Sequence, residues 1–350
     1  MRALTPMLIS GFMLGVLTTL AAQSQESQEG FRFKSGVDLV NVTATVTNEV
    51  GRFVSGLKRE DFSVYEDGKL QEVSHFSSDR VPVSLGIVLD ASGSMTPDKM
   101  SAARAAIDRL IFDLLDQDDE LFFVQFATRA SMTQGWTKDR QLISRAVKNV
   151  EAVGGTAMYD AIATAIPTAQ SGTNPKKALL LISDGNDTNS DISAGLLRQR
   201  IRESEVLVYA LGIDGTRSRV GNQGNSPPPQ FPPLPIPFPF PGGRRPDPRF
   251  PPIGGGSGGG SSGSWPAARG DRVNADALRL ITDDTGGRTE IVKGSDGLGP
   301  ATERIADELS KQYYLGYSST AERDGRWHSI RVEVRDRHLT VRARRGYTAS

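Results

Sequence analysis

Two kinds of hydrophobic pattern divide the chain. Over 37–80 and again over 312–350, apolar and polar residues alternate in short runs, which is typical of half-buried strands. Over 81–311, continuous apolar runs of strand length alternate with stretches in which apolar residues recur every three or four positions. We therefore predict an α/β domain with a doubly wound, mostly parallel sheet at 81–311, flanked by two β-rich segments.

The apolar runs fix the order of the elements in the α/β segment. The predicted strands are 83–90, 121–127, 178–183, 205–213 and 288–292. The predicted helices are 97–114, 139–150, 157–170, 192–203, 273–285 and 300–311. Because the strands alternate with helices, their carboxyl ends should lie along one edge of the sheet, where ligands bind in open α/β folds.

The two flanking β-rich segments are small. Each has only about 35 to 45 residues, too few for a substantial core of its own. We therefore predict that they pair into one small β-sandwich with the α/β domain inserted between them; the alternative is two separate additions to the edges of the α/β domain. The pair Asp67-Gly68 predicts one hairpin turn, and Arg337-His338 lies between two strands that could form another.

Three segments are not expected to belong to the folded core. A signal peptide is predicted at residues 1–22, where Arg2 precedes an apolar run that ends in small residues. The run is shorter than the ~20 residues that a membrane-spanning helix needs. Residues 23–36 predict a disordered polar leader. Residues 215–270, rich in Pro, Gly and Ser, predict a disordered insertion. The mature chain should therefore have no transmembrane segment and be secreted or periplasmic in a bacterium.

Composition narrows the chemistry. The 41 Lys and Arg residues balance 41 Asp and Glu residues, which argues against a nucleic-acid partner. The absence of Cys excludes disulfides, thiolate metal sites and Cys nucleophiles. With only three His, a metal site would use mainly oxygen ligands.

Oxygen-bearing side chains follow the ends of the predicted strands. The strand 83–90 ends in Asp90-Ala-Ser-Gly-Ser, which places Asp90, Ser92 and Ser94 at alternating positions of a tight loop. Thr156 follows two glycines at the start of a predicted helix, and Asp184 directly follows the strand 178–183. Two carboxylates and three hydroxyls suit a hard divalent cation, with Mg2+ expected and Mn2+ or Ca2+ as alternatives. The structural alternative is an ordinary turn in which Ser and Gly only shape the backbone.

These residues resemble a known site. The order DASGS, GGT and SDG is similar to the metal-ion-dependent adhesion site of von Willebrand factor type A (VWA) domains, and the flanking segments are similar to a secreted bacterial family called VWFA-related, abundant in Acidobacteria. The resemblance implies that Ser92, Ser94 and Thr156 are direct ligands and that one or both of Asp90 and Asp184 act through water. It also implies an open coordination position for a Glu or Asp of a partner protein, and hence an adhesion or interaction module.

Catalysis is not expected. Aspartyl phosphatases need a second Asp two residues after the nucleophile, where Ser92 stands. A serine hydrolase would need a nucleophile elbow, which the sequence lacks, and His75, His328 and His338 all lie in the β-rich flanks. The remaining alternatives are a scaffold whose metal site is structural or vestigial and, ranked third, a metal-dependent hydrolase.

Three further features have both a functional and a structural interpretation. Asp187 and Asp191 could hold a second Ca2+, but a solvated loop capping the next helix is favoured. The arginines of 331–345 could bind an anionic partner, but alternation on strands favours one solvated face. Asp247, in the Pro/Gly-rich insertion, could occupy the metal site in cis, although a plain spacer or a proline-rich ligand for another protein is favoured.

Overall fold

The structure, a computed structural model, describes residues 38–214, 273–321 and 324–349. The predicted signal peptide, leader and insertion, including Asp247, lie outside the described residues and stay predictions. In the part that is described, no helix has both the length and the apolar character needed to cross a membrane.

The described residues contain fourteen strands. They are β1 (Asp38–Thr47), β2 (Phe62–Glu66), β3 (Lys69–Gln71), β4 (Val73–Ser77), β5 (Val83–Asp90), β6 (Glu120–Phe126), β7 (Ala130–Thr137), β8 (Lys176–Ser183), β9 (Leu207–Asp214), β10 (Thr289–Lys293), β11 (Tyr313–Ser319), β12 (Trp327–Val334), β13 (Thr340–Ala343) and β14 (Gly346–Thr348). The six α-helices of the same residues are α1 (Pro97–Arg109), α2 (Arg140–Lys148), α3 (Met158–Gln170), α4 (Ala194–Glu203), α5 (Ala275–Thr282) and α6 (Leu298–Lys311).

The central sheet confirms the predicted fold class. Its strand order is β10-β9-β8-β5-β6-β7, and every neighbouring pair except β6–β7 is parallel. All eight residues of β5 are buried, as expected for a strand covered on both faces. Helices α1, α2 and α6 pack on one face and α3, α4 and α5 on the other, so the sheet is doubly wound.

One strand of this sheet has no counterpart in the sequence prediction. Among the described strands, β7 pairs with β6 alone, and the register shifts twice along the pair. Most of its side chains are exposed or half-buried, since it lies at the sheet edge. The polar sequence of an edge strand resembles that of a loop, which explains why the hydrophobic pattern missed it.

The two flanking segments pair as predicted. Strand β1 of the first segment pairs antiparallel with β11 of the second, and β2 pairs antiparallel with β12. The resulting sheets, β13-β1-β11-β4 and β14-β12-β2-β3, share one core that includes Val42 and Tyr313 from one sheet and Val64 and Ile330 from the other. The α/β domain is therefore inserted into a β-sandwich, between β4 and β11.

The hairpin predictions had different outcomes. The turn at Asp67-Gly68 joins β2 to β3, and both residues have positive φ angles (47° and 79°), as a two-residue hairpin turn requires. The predicted hairpin across Arg337-His338 is wrong. Strands β12 and β13 lie in different sheets, because β12 pairs with β2 and β14 whereas β13 pairs with β1.

Side chains of the C-terminal strands fasten the sandwich to the α/β domain. Glu308 of α6 is fully buried, and its Oε1 accepts hydrogen bonds from Thr45 of β1 (3.1 Å), Tyr209 of β9 (3.0 Å) and, at very short range, Arg342 of β13. Arg344 is also buried, 7% exposed. The interpretation of these arginines as a solvated face is therefore wrong at 342 and 344, where they face the α/β domain.

Candidate metal centre

Two loops are joined by backbone hydrogen bonds at the carboxyl edge of the central sheet. The N–H of Gly93, in the loop after β5, donates to the carbonyl of Gly154, in the loop before α3, at 2.9 Å. The N–H of Val153 donates back to the carbonyl of Ala91 at 2.8 Å. The segment that carries Ser92 and Ser94 is thus fixed against the segment that leads to Thr156.

A third loop, after β8, is attached to the same segment. The carbonyl of Thr156 accepts hydrogen bonds from the N–H groups of Thr188 (2.8 Å) and Asn189 (3.0 Å), and the N–H of Thr156 donates to the Thr188 hydroxyl (3.0 Å). Gly154 has φ = 90°, and a Cβ at Gly155 would overlap the Asn189 side chain. The two glycines before Thr156 therefore allow a backbone angle and a close approach that other residues would not.

Asp90 is a fully buried carboxylate at the end of β5. Its Oδ1 accepts the N–H of Ser92 at 2.8 Å, and its Oδ2 accepts the hydroxyl of Ser183 at 2.5 Å. Burial raises the pKa of Asp90 to about 6; these two hydrogen bonds oppose the rise, and the nearby charge of Asp184 adds to it. The ionised form of Asp90 therefore lacks full compensation by protein groups, which a cation would supply.

The two serines of the loop turn their hydroxyls toward each other. The Oγ atoms of Ser92 and Ser94 lie 2.9 Å apart, with Ser92 buried and Ser94 exposed. Neighbouring hydroxyl oxygens can both act as ligands of one hard cation. The exposure of Ser94 leaves this side of the site open to solvent.

Asp184 completes the predicted carboxylate pair. The residue is 4% exposed, and its Oδ1 is buried with no hydrogen-bond partner among the described residues. Its Oδ2 lies 3.4 Å from Nζ of Lys99, which also donates to the carbonyl of Ser94 at 3.1 Å. The same ammonium therefore contacts the loop of the two serines and the second carboxylate.

The five predicted residues thus lie along one edge of the sheet. Asp90, Ser92, Ser94 and Asp184 are connected by side-chain contacts or a shared lysine, and Thr156 lies in the loop bonded to both of their segments. Within the described ranges, no three His, Cys, Asp or Glu side chains form a group that could hold a metal ion. The candidate set has only two carboxylates, so any metal here would rely on the hydroxyls.

The acidic loop that follows Asp184 has a structural role. Oδ1 of Asp187 accepts the N–H groups of Met158 (2.8 Å) and Tyr159 (3.2 Å), at the first turn of α3, and the hydroxyl of Ser190 (2.5 Å). The prediction that this loop caps the following helix α4 is therefore wrong: Asp187 caps α3, whereas the N-cap of α4 is Ser193. This oxygen is committed to the protein, which argues against the second Ca2+ site.

Sequence analysis missed two residues of the site, Ser183 and Lys99. Ser183 directly precedes Asp184, so a hydroxyl at a strand end beside a candidate carboxylate could have indicated it. Lys99 stands in the first turn of α1, where the helix dipole disfavours a cation. That unfavourable placement was the signal that its side chain has an acidic partner.

The sequence of the region that carries these loops matches a known class of domain. Residues 85–186, which include all five predicted site residues, match the model of the family described as von Willebrand factor type A domain. The chain therefore contains a VWA domain, as the DASGS, GGT and SDG motifs suggested. The narrower resemblance to secreted VWFA-related proteins stays a prediction.

Individual proteins show the same similarity. The Synechocystis sp. protein sll0103 is 30% identical over 115 residues, a match that covers 32% of this chain and 27% of that protein. The structure of a von Willebrand factor type A protein from Catenulispora acidiphila is 15% identical, with a TM-score of 0.45 and coverage of 88% of this chain and 73% of that one. Proximal thread matrix protein 1 of the mussel byssus, solved with a zinc-occupied MIDAS motif, is 16% identical, with a TM-score of 0.47 and coverage of 71% and 50%. The match thus spans about a quarter of the length of the cyanobacterial relative.

Proposed function

We propose that this protein binds a divalent cation at Asp90, Ser92, Ser94, Thr156 and Asp184 and, through the cation, a carboxylate of a partner protein. The observation that carries the proposal is the pair of buried, incompletely compensated carboxylates beside two adjacent hydroxyls. Among the described residues, the two buried carboxylates have one ion pair between them, that of Asp184 with Lys99. Buried negative charge that is not fully balanced is costly, so the pair favours a bound cation. Mg2+ is the cation that this ligand set suits best.

The hydroxyl and carboxylate side chains would have different roles in metal binding. Ser92, Ser94 and Thr156 would supply neutral ligands, while Asp90 and Asp184 would balance charge and orient bound water. When bound, the cation would supply a Lewis-acidic position for an external carboxylate. Ser94 is exposed, so a partner could approach from its side.

The whole molecule is proposed to be a non-catalytic interaction module. VWA domains often serve as protein-interaction modules. The predicted signal peptide supports export to the periplasm or the cell exterior, consistent with membership of the secreted VWFA-related family. The partner would present Glu or Asp.

Metal binding is tested by isothermal titration calorimetry with Mg2+. Thr156→Ala and Ser92→Ala each remove one neutral ligand, so we expect at least a tenfold loss of affinity with the fold retained by circular dichroism. Thr133→Ala is the matched control, because Thr133 is exposed on the edge strand β7. Equal affinities for all four proteins, or no binding by the wild type, would refute the metal site.

Partner recognition needs a separate experiment. The full chain, immobilised in Mg2+, should capture a partner that EDTA releases while the circular dichroism spectrum of the bait stays unchanged. Release that accompanies unfolding would instead support a structural metal. Capture that is indifferent to EDTA and to Thr156→Ala would contradict recognition through the cation.

A further inference from the structure

The side chain of Lys99 reaches from helix α1 into the candidate metal centre. Its Nζ donates to the carbonyl of Ser94 at 3.1 Å and lies 3.4 Å from Oδ2 of Asp184, and the side chain is only 12% exposed. Among the described residues, no other ion pair is formed by Asp90 or Asp184. Within the described part of the chain, Lys99 is thus the cationic side chain that pairs with Asp184.

The position of Lys99 within its helix is electrostatically unfavourable for a cation. It is the third residue of α1, where the unpaired N–H groups and the helix dipole already create positive potential. An ammonium is stabilised here only through acceptors outside the helix, and Ser94 and Asp184 supply them. Because the pair is largely shielded from water, screening reduces the attraction less than at an exposed site.

We propose that Lys99 is an internal counter-ion that neutralises Asp184 in the metal-free protein and opposes binding of the divalent cation. The inference rests on the proposed metal site. The ammonium contacts the carboxylate that a cation would need. A divalent cation at the five residues must either displace this ammonium or bind against its electrostatic repulsion. Lys99 therefore links the Ser94 loop to Asp184 and weakens the affinity of the site for metal.

The first test titrates Mn2+ alone into the full chain and follows bound metal by electron paramagnetic resonance. Lys99→Met should bind Mn2+ about tenfold more tightly than the wild type, because a unit positive charge close to the cation has been removed. Lys99→Arg keeps the charge and should stay near the wild type. Lys177→Met is the matched control, since Lys177 lies in β8 at the opposite edge of the sheet.

The outcomes separate the two proposals. If the wild type and all three variants bind no Mn2+, the metal site itself is refuted. If the wild type binds Mn2+ but Lys99→Met binds with equal or lower affinity, the metal site stands and the role of Lys99 is refuted. Equal tightening by Lys177→Met would also refute it, because the effect would then reflect net charge alone.

A second test needs no metal. Thermal unfolding in EDTA of Lys99→Met, Asp184→Asn and the double variant forms a double-mutant cycle. The charge pair predicts that Lys99→Met lowers the melting temperature of the wild type but has little effect in the Asp184→Asn background. Additive effects would show that Lys99 contributes only packing and would overturn the proposal.

Discussion

At the residue scale, buried charges in this protein are compensated in contrasting ways. Asp284 is buried, and burial by itself raises the pKa of its carboxyl. Hydrogen bonds from Arg198 and Arg202 outweigh this effect and hold the pKa below the usual value. Lys176 is equally buried, but its Nζ donates to a neutral group, the carbonyl of Leu309, at 2.7 Å. A buried charge whose hydrogen-bond partner is neutral has a shifted pKa in the folded state, so the free energy of unfolding should depend on pH.

Lys176 provides a pH-dependent test. Burial, with help from the charge of Arg80, lowers the pKa of Lys176 from 10.5 to about 8. Between these two values the unfolded chain binds more protons than the folded chain, so the stability contribution of Lys176 rises with pH across this window. Relative to Lys176→Met, the wild type should gain about 3 kcal/mol of unfolding free energy between pH 7.5 and 10.5.

Urea denaturation of both proteins at several pH values measures this difference. Comparison with Lys176→Met cancels the titration of other Lys and Tyr side chains. Parallel stability profiles for the two proteins would show that Lys176 keeps its ordinary pKa in the folded state.

At the element scale, burial decided which parts of the fold were predictable. The strands of the parallel sheet have continuous apolar sequences because both faces are covered, and β5 was predicted with its observed ends. Strand β7 has no such apolar run, because it lies at the edge of the sheet. The hydrophobic pattern also did not separate β13 from β14, because the chain passes from one sheet to the other within three residues.

The site was predictable to a similar extent. The residues Asp90, Thr156 and Asp184 stand at the ends of strands or the start of a helix, so strand order alone brings their segments to one edge. The contacts of Lys99 and Ser183 depend on side-chain conformations, which neither spacing nor motif encodes.

The N-terminus of α3 offers a test of the structural role of Asp187. Asp187→Ala removes the acceptor of two N–H groups and a hydroxyl, so it should lower stability by about 1–2 kcal/mol. Calcium titration should show the same stoichiometry as the wild type, because this carboxylate is a cap rather than a ligand. Loss of a Ca2+ equivalent without loss of stability would revive the second cation site.

At the scale of the whole molecule, one buried network joins the inserted domain to the sandwich. Glu308 accepts from Thr45, Tyr209 and Arg342, and Gln312 donates to Thr45 (3.1 Å) and Tyr209 (2.8 Å). Elements from both parts of the chain thus share the same carboxylate and amide. We expect the two parts to unfold together rather than as independent units.

Arg342→Met tests this coupling. It leaves the buried Glu308 with less positive charge around it and should destabilise the chain by about 3 kcal/mol. Arg331→Met is the matched control, because Arg331 is exposed on β12 and pairs with an exposed Glu333; it should change stability by less than about 1 kcal/mol. Differential scanning calorimetry measures both variants, and similar melting temperatures for the two would contradict a coupling role for Glu308.

The insertion of the α/β domain between β4 and β11 has a mechanical consequence. These strands are hydrogen-bonded neighbours, with Ser77 opposite Tyr314, so the chain leaves and re-enters the sandwich side by side. Strand β5 begins at Val83, so the attachment lies at the amino edge of the central sheet, opposite the candidate metal centre. A force that pulls on that centre would be divided between the two chain connections, one to β4 and one to β11. Both strands would be drawn in the same direction, so the hydrogen bonds between them would not be sheared.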